Sequence, residues 1–226
     1  MKNEAPNCAR CPYQSSDRLC QTADGKGPES CPTRNMTALL QRSMEAYKDD
    51  SGIGEFARQA SIQEAEGYLN RELGYANVRA AKTRIEEIMA FADKMHYRRL
   101  GMAFCIGLRN EAKVVEKIFA SRGFDVVSAA CKVGRVSKQF IGVDRSQQIA
   151  LDREEAMCNP ILQAMILNDA KTDFNVLLGL CVGHDSLFLK HAEAPCTVLA
   201  VKDRLLGHNP LAAVYNADSY YRCLKS

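Results

Sequence analysis

From Gly101 onward the spacing of the apolar residues changes, and that change limits the chain to one class of fold. The run GMAFCIGL is a short continuous apolar stretch suited to a buried strand. The next run, NEAKVVEKIFASRG, places Val114, Val115, Ile118 and Phe119 on a helical face that ends at Gly123. FDVVSAAC reads as a second strand, so the three runs form a βαβ unit with the usual right-handed crossover. FNVLLGLCVG reads as a strand buried on both faces, and CTVLAVKD as a fourth strand. Between the second and third strands, Asn159 as N-cap and Pro160 at the first helical position open a helix expected to bury Ile161, Leu162, Met165 and Ile166. Four parallel strands with helical crossovers predict an α/β domain over residues 99–226, built on an open, mostly parallel, doubly wound sheet.

Two segments precede that domain. Residues 35–98 read as a helical segment packing on the core, with one helix from Glu55 to Asn70 and another carrying Ala81, Ile85, Ile88, Ala92 and Met95 at alternating spacings of four and three. Residues 1–34 are rich in Cys, Pro, Gly, Ser and Asp, with too few large apolar side chains for a core of their own. Something other than hydrophobic packing must order them.

The net charge of +3, the lack of a long basic run and the absence of Trp leave no electrostatic footprint for nucleic acid. The stretch MKNEAPNCARC has no apolar signal-peptide core, and no apolar run approaches the roughly 20 residues that span a bilayer. A cytoplasmic protein follows, with no nucleic-acid or membrane partner expected. Its ten cysteines are then not expected in disulfides, because cytosolic thiols are kept reduced, and metal or redox chemistry remains.

Cys8 and Cys11 are separated by two residues, with eight more before Cys20 and ten before Cys31. A two-residue gap lets both thiolates reach one metal from a tight turn, and the longer loops bring two more ligands around the other side. Zinc accepts such a quartet, as does an iron–sulfur cluster. The second Cys-x2-Cys of zinc ribbons is missing and Cys-Pro occurs twice, at Cys11-Pro12 and Cys31-Pro32, which favours iron–sulfur.

A second group emerges from the strand order. In open parallel sheets functional groups collect beyond the carboxyl ends of the strands. Cys105 lies near the end of the first strand, Cys131 follows the second, Cys181 closes the third, and Cys158 precedes the Asn159-Pro160 helix start, whose dipole favours thiolates. Cys105 suits core packing almost as well as ligation, since free cysteine is a small hydrophobe. His184 and Asp185 follow Cys181 across Gly183, and a second Asn-Pro start at Asn209, preceded by His208, is expected to open onto the same edge. Lys202, Asp203 and Arg204 are expected as a polar rim able to bind an anionic substrate. Cys196, at the opposite edge, and Cys223, in the tail, carry no expected role.

The runs CARCPY, FCIGLRNEA, CKVG, MCNPILQAMILN, LCVGHD, VKDR and GHNPLAAVY resemble those of a widespread, functionally uncharacterised family of cysteine-rich predicted metal-binding proteins of mainly anaerobic bacteria and archaea. The resemblance extends from Cys8 to about Tyr215. It implies metal binding, with Cys8, Cys11, Cys20 and Cys31 as one group. Cys105, Cys131, Cys158, Cys181, His184, Asp185, Lys202, Asp203, Arg204, His208 and Asn209 are its other motif positions.

The expectation is therefore an iron–sulfur protein, of 4Fe-4S type, with an N-terminal site and a strand-edge site, acting with a small molecule or redox partner. If only three strand-edge cysteines ligate, the vacant position binds substrate as a Lewis acid, with His184 and Asp185 as catalytic candidates. The alternative is a zinc-stabilised α/β binding module without catalysis.

Overall fold

The computed structural model describes residues 5–48 and 51–225. The chain divides into two compact units, Met1–Ile62 and Gln63–Ser226.

In the first unit, 3-10 turns at Cys8–Arg10 and Ser15–Asp17 lead to α1 (Pro32–Asn35), α2 (Thr37–Ala46) and the start of α3 (Ile53–Glu66). No described residue of this unit is buried. Its order comes from short backbone links, such as Leu19 N–H to the Lys26 carbonyl at 3.0 Å and Lys26 N–H to the Asp17 carbonyl at 2.7 Å. α3 stops at Glu66, short of the expected Asn70. Gly67 follows it, and Asn70 adopts a left-handed conformation at φ 63°.

The second unit opens with an antiparallel pair, β1 (Tyr68–Leu69) and β2 (Arg79–Ala80). α4 (Arg84–Lys94) follows, started by a capping box between Thr83 and Glu86. It buries Ile88, Met89, Phe91 and Ala92, while Ala81 lies outside it. The remaining elements are β3 (Arg99–Phe104), α5 (Arg109–Ser121), β4 (Asp125–Ala130), α6 (Pro160–Asp169), β5 (Phe174–Leu180), α7 (His184–His191), β6 (Cys196–Val201) and the short α8 (Leu211–Tyr215).

β3 to β6 form one sheet in the order β4-β3-β5-β6, with every pairing parallel. The α/β expectation is met. β5 is buried at all seven positions, because both faces of a central strand are covered by crossover helices. Its partner β6 is half-buried throughout, and Arg84 donates to the Thr197 hydroxyl at 2.7 Å and to the Val198 carbonyl at 3.4 Å.

Two helix faces differ from the periodicity. α5 buries Ala112, Val115 and Phe119 and leaves Val114 57% exposed. α6 buries Pro160, Gln163, Ala164 and Leu167 and leaves Met165 58% exposed. α6 is apolar nearly all round, so pattern alone cannot choose its inward side. Gln163 turns inward because its amide donates to the Ala129 carbonyl at 2.7 Å and the Phe104 carbonyl at 3.2 Å. Among the described residues no helix is long and apolar enough to cross a membrane.

Candidate functional site

In the N-terminal unit, the Cys-x2-Cys pair lies on a 3-10 turn closed by the Cys11 N–H to the Cys8 carbonyl at 3.2 Å. Cys31 is the N-cap residue of α1, with Pro32 at the first helical position. Gly27 lets Cys31 approach: a β-carbon there would stand 2.9 Å from the Cys31 sulfur. A pocket of about 90 Å³ is lined by Cys8, Cys11, Cys20 and Cys31 together with Arg18 and Lys26. The fold of this unit thus brings four cysteines from three separate stretches to one hollow.

The second group assembles through strand register. Phe104 pairs with Ala130, so Cys105 and Cys131, one residue further on, stand side by side just past the strand ends. The Cys131 N–H donates to the Phe104 carbonyl at 2.8 Å and the Cys105 N–H to the Leu178 carbonyl at 3.1 Å. Cys105 therefore follows β3 instead of lying within it. Leu180 pairs with Val201, which sets Cys181 beside Lys202, and the Lys202 N–H donates to the Leu180 carbonyl at 3.0 Å. The edge carries Cys131, Cys105, Cys181 and Lys202 in that order. Connections leave β3 and β4 toward opposite sides of β3, so Cys105 and Cys181 flank the switch point where ligands bind in this class of sheet.

Cys158 reaches the edge at the end of a long excursion between β4 and α6. That loop folds back on itself through a bridge between Ser137 and Ala156 and a bond from the Met157 N–H to the Val136 carbonyl at 2.7 Å. The Glu155 carboxylate pins it by accepting from Lys138 at 2.8 Å and from the Ile149 N–H at 2.9 Å. The Asn159 N–H then donates to the Cys131 carbonyl at 2.8 Å, fixing Cys158 above Cys131.

The thiols interact in a chain. Cys105, Cys131 and Cys158 shift one another's ionisation in that order, and Cys131 Sγ also accepts from the Ile106 N–H at 3.3 Å. Donation to Cys131, with burial, pushes the Cys105 thiol up to about 12. Cys131 gains from Cys105's bond, but its own donation to Cys158 and its burial raise it overall. Cys158, at the accepting end, is lowered to about 7 by the Cys131 bond, with help from the Lys132 charge and against burial. Cys181 accepts from the Arg204 guanidinium at 3.1 Å.

His184 is the first residue of α7, and its N–H and that of Asp185 donate to the Cys181 carbonyl at 2.9 and 3.1 Å. Burial, then the Lys132 charge, lowers the His184 pKa. The Asp185 carboxylate accepts from the Ser186 N–H at 2.8 Å within its own turn. Asp203 is committed to a turn, accepting from the Leu205 and Leu206 N–H groups at 3.0 and 2.9 Å, while its own N–H donates to His208 Nδ1 at 3.1 Å. His208, at φ 67°, braces that turn. Asn209 is exposed and caps no helix: α8 starts at Leu211 after Pro210, without a side-chain cap. Cys196 packs at the far edge, its sulfur near the Asn175 amide at 3.9 Å.

The edge thus gathers Cys105, Cys131, Cys158 and Cys181 with Lys202, Arg204 and His184, while Asp203 and His208 serve the adjoining turn. None of the eight cysteines of the two groups is paired in a disulfide. Among the described residues, no three Cys, His or carboxylate side chains stand in an arrangement that could hold a metal ion. Two contributors escape the sequence reading. Gln163 secures the Phe104 carbonyl at the end of β3 and the Ala129 carbonyl one residue before the end of β4, and Lys132 donates to the Ala156 carbonyl beside Cys158. A lone Gln in the apolar run NPILQAMILN was the available signal for the first.

A family model described as "Protein of unknown function (DUF1847)" matches residues 31–199, taking in Cys31 and the four strand-edge cysteines. An uncharacterized protein of Methanocaldococcus jannaschii, MJ0455, is 43% identical over 183 residues, covering 81% of this chain and 86% of that protein. No solved structure matches. With three quarters of its length under the family model and a relative of this closeness, the chain belongs to the DUF1847 family of proteins of unknown function.

Proposed function

We propose that the protein is a thiolate metalloprotein of iron–sulfur type, holding one group through Cys8, Cys11, Cys20 and Cys31 and a second at the carboxyl edge of the sheet. It serves redox or cluster-dependent chemistry on a small molecule in a reducing cytoplasm. The carrying observation is in the N-terminal unit: none of its described residues is buried, yet all four cysteines line one pocket. A segment without an apolar core needs cross-links to stay folded. Disulfides do not persist in a reducing compartment, whereas thiolate–metal bonding supplies on the order of 10 kcal/mol. Both groups of thiols must draw closer as they bind, so binding and ordering are one event.

At the strand edge, four segments distant in sequence bring sulfur to the switch point, and Lys132, Lys202 and Arg204 supply positive charge that favours thiolates there. A bound cluster would supply electron transfer or Lewis acidity. Arg204 orients Cys181, and His184, held by its N–H against the Cys181 carbonyl, is the group placed to accept a proton.

The coreless N-terminal unit equally favours a second reading, in which zinc gives purely structural cross-linking and the α/β unit binds a small anion without chemistry. Metal and acid-labile sulfide analysis of anaerobically purified protein decides between them, alongside Cys8→Ser and Cys181→Ser variants. Iron with sulfide, lost separately in the two variants, is the expected result. Stoichiometric zinc selects the second reading, and protein without bound metal overturns both.

A further inference from the structure

We propose that Cys131 and Cys158 form a redox-active dithiol, oxidised to an intramolecular disulfide by low-molecular-weight disulfides and restored by small thiols. This function goes beyond metal binding and needs no metal; a group bound through the same sulfurs would protect them.

The Asn159 N–H donates to the Cys131 carbonyl at 2.8 Å, which ties the backbones of Cys131 and Cys158 together at adjoining positions. Forming a disulfide asks their sulfurs to close to a covalent distance of about 2 Å. The fold allows it on one side only. Cys131 is anchored at the end of β4 by its N–H, whereas Cys158 ends a long excursion outside the sheet and can shift without breaking a strand ladder.

Exposure divides the roles. Cys131 is 2% exposed, while Cys158 is half-buried and reachable. Cys158 therefore attacks first: its sulfur bonds to one sulfur of the incoming disulfide RSSR, and the S–S bond breaks to release RS⁻, which takes up a proton. Cys131 then gives up its proton and attacks the Cys158 sulfur, expelling the second RS⁻, which that proton neutralises. Two protein thiols and RSSR become one protein disulfide and two RSH, with two electrons passed to RSSR.

Competing pairs are worse placed. Cys105 and Cys131 are both buried and both held by ladder bonds at neighbouring strand ends, out of reach of an oxidant. Cys181 is engaged by Arg204. Oxidation of the favoured pair takes two of the four edge thiols out of use, so the strand-edge site is available only in the reduced state.

The test uses full-length protein, purified reduced and without oxygen, assayed for metal, treated with chelator and exposed to oxidised glutathione. Non-reducing peptide mapping should give Cys131–Cys158 as the principal linkage among the strand-edge cysteines. Cys131→Ser should stop at one glutathione on Cys158, and Cys158→Ser should leave Cys131 unmodified at least about tenfold longer than in the wild-type chain. Cys105→Ser should keep the linkage, which guards against a variant that merely unfolds. A different principal pair among the strand-edge cysteines, or an unmodified Cys158 in the wild-type chain, overturns the proposal. The metal assay separates the two ideas: a disulfide in protein that never held metal leaves this one standing and removes the other, and metal without the disulfide does the reverse.

Discussion

The Arg204 guanidinium reaches back from beyond β6 to donate to the Cys181 sulfur, at the end of β5, across 3.1 Å. A charge-assisted bond of this kind both orients a sulfur and holds it in one rotamer. Arg204→Met should weaken metal binding at the strand edge by roughly tenfold or more, the usual effect of losing an outer-shell partner. Competition with a chromophoric chelator measures it, and occupancy through Cys8, Cys11, Cys20 and Cys31 should be unchanged.

Gln163→Leu removes two donors to the carbonyls of Ala129 and Phe104. The Phe104 carbonyl keeps its bond from the Cys131 N–H, but the Ala129 carbonyl loses the Gln163 donor in a buried setting. The expected cost is about 1–3 kcal/mol in a urea titration, with an unaltered slope.

Gly179 sits at φ 66° in β5, where the register with β6 slips, and a β-carbon there would stand 1.9 Å from Leu108 Cδ1. Both the backbone and the packing oppose a side chain. Gly179→Ala should destabilise the fold by about 2 kcal/mol or more, read as a lowered thermal midpoint. It should also disturb the edge, because Lys202 Nζ lies 3.8 Å from the same point.

The Lys138 ion pair holds the Glu155 carboxyl down to about 2, against an ordinary 4.5. A depressed carboxyl stabilises the fold fully above the ordinary value, and that contribution is lost as pH falls from about 4.5 towards 2. Solvent screening leaves about 1 kcal/mol. In metal-free protein, Glu155→Gln should therefore lose less stability than wild type between pH 5 and about 2.5, a difference that denaturant midpoints at the two pH values would reveal.

Chelation should act on the N-terminal unit first, since no described residue there is buried. Limited proteolysis with and without chelator should show cleavage among residues 5–48 rising steeply while the sheet survives.

The strand runs, the Asn159-Pro160 helix start and the placement of Cys131 and Cys181 just past strand ends were legible because parallel strands are apolar throughout and their ends are marked by polar or glycine residues. The inward faces of α5 and α6 were less so. A helix with apolar residues on several sides does not declare its buried one, and at α6 a hydrogen bond from Gln163 made the choice. The docking of Cys158 beside Cys131 was hidden for another reason. It depends on the return path of residues 132–157, which Glu155 and Lys138 determine through contacts that no periodicity encodes. Asn209 misled because its Asn-Pro pair matches the one at Asn159, while the helix it precedes is too short to use the cap.

Arg84 spends its guanidinium on Thr197 and Val198, along the outermost strand of the sheet. A neighbouring chain seeking to extend the sheet past β6 would meet a bulky cation where it needed a vacant acceptor. That flank is thereby closed to strand addition, and a protein rich in cysteine is spared one route to clumping.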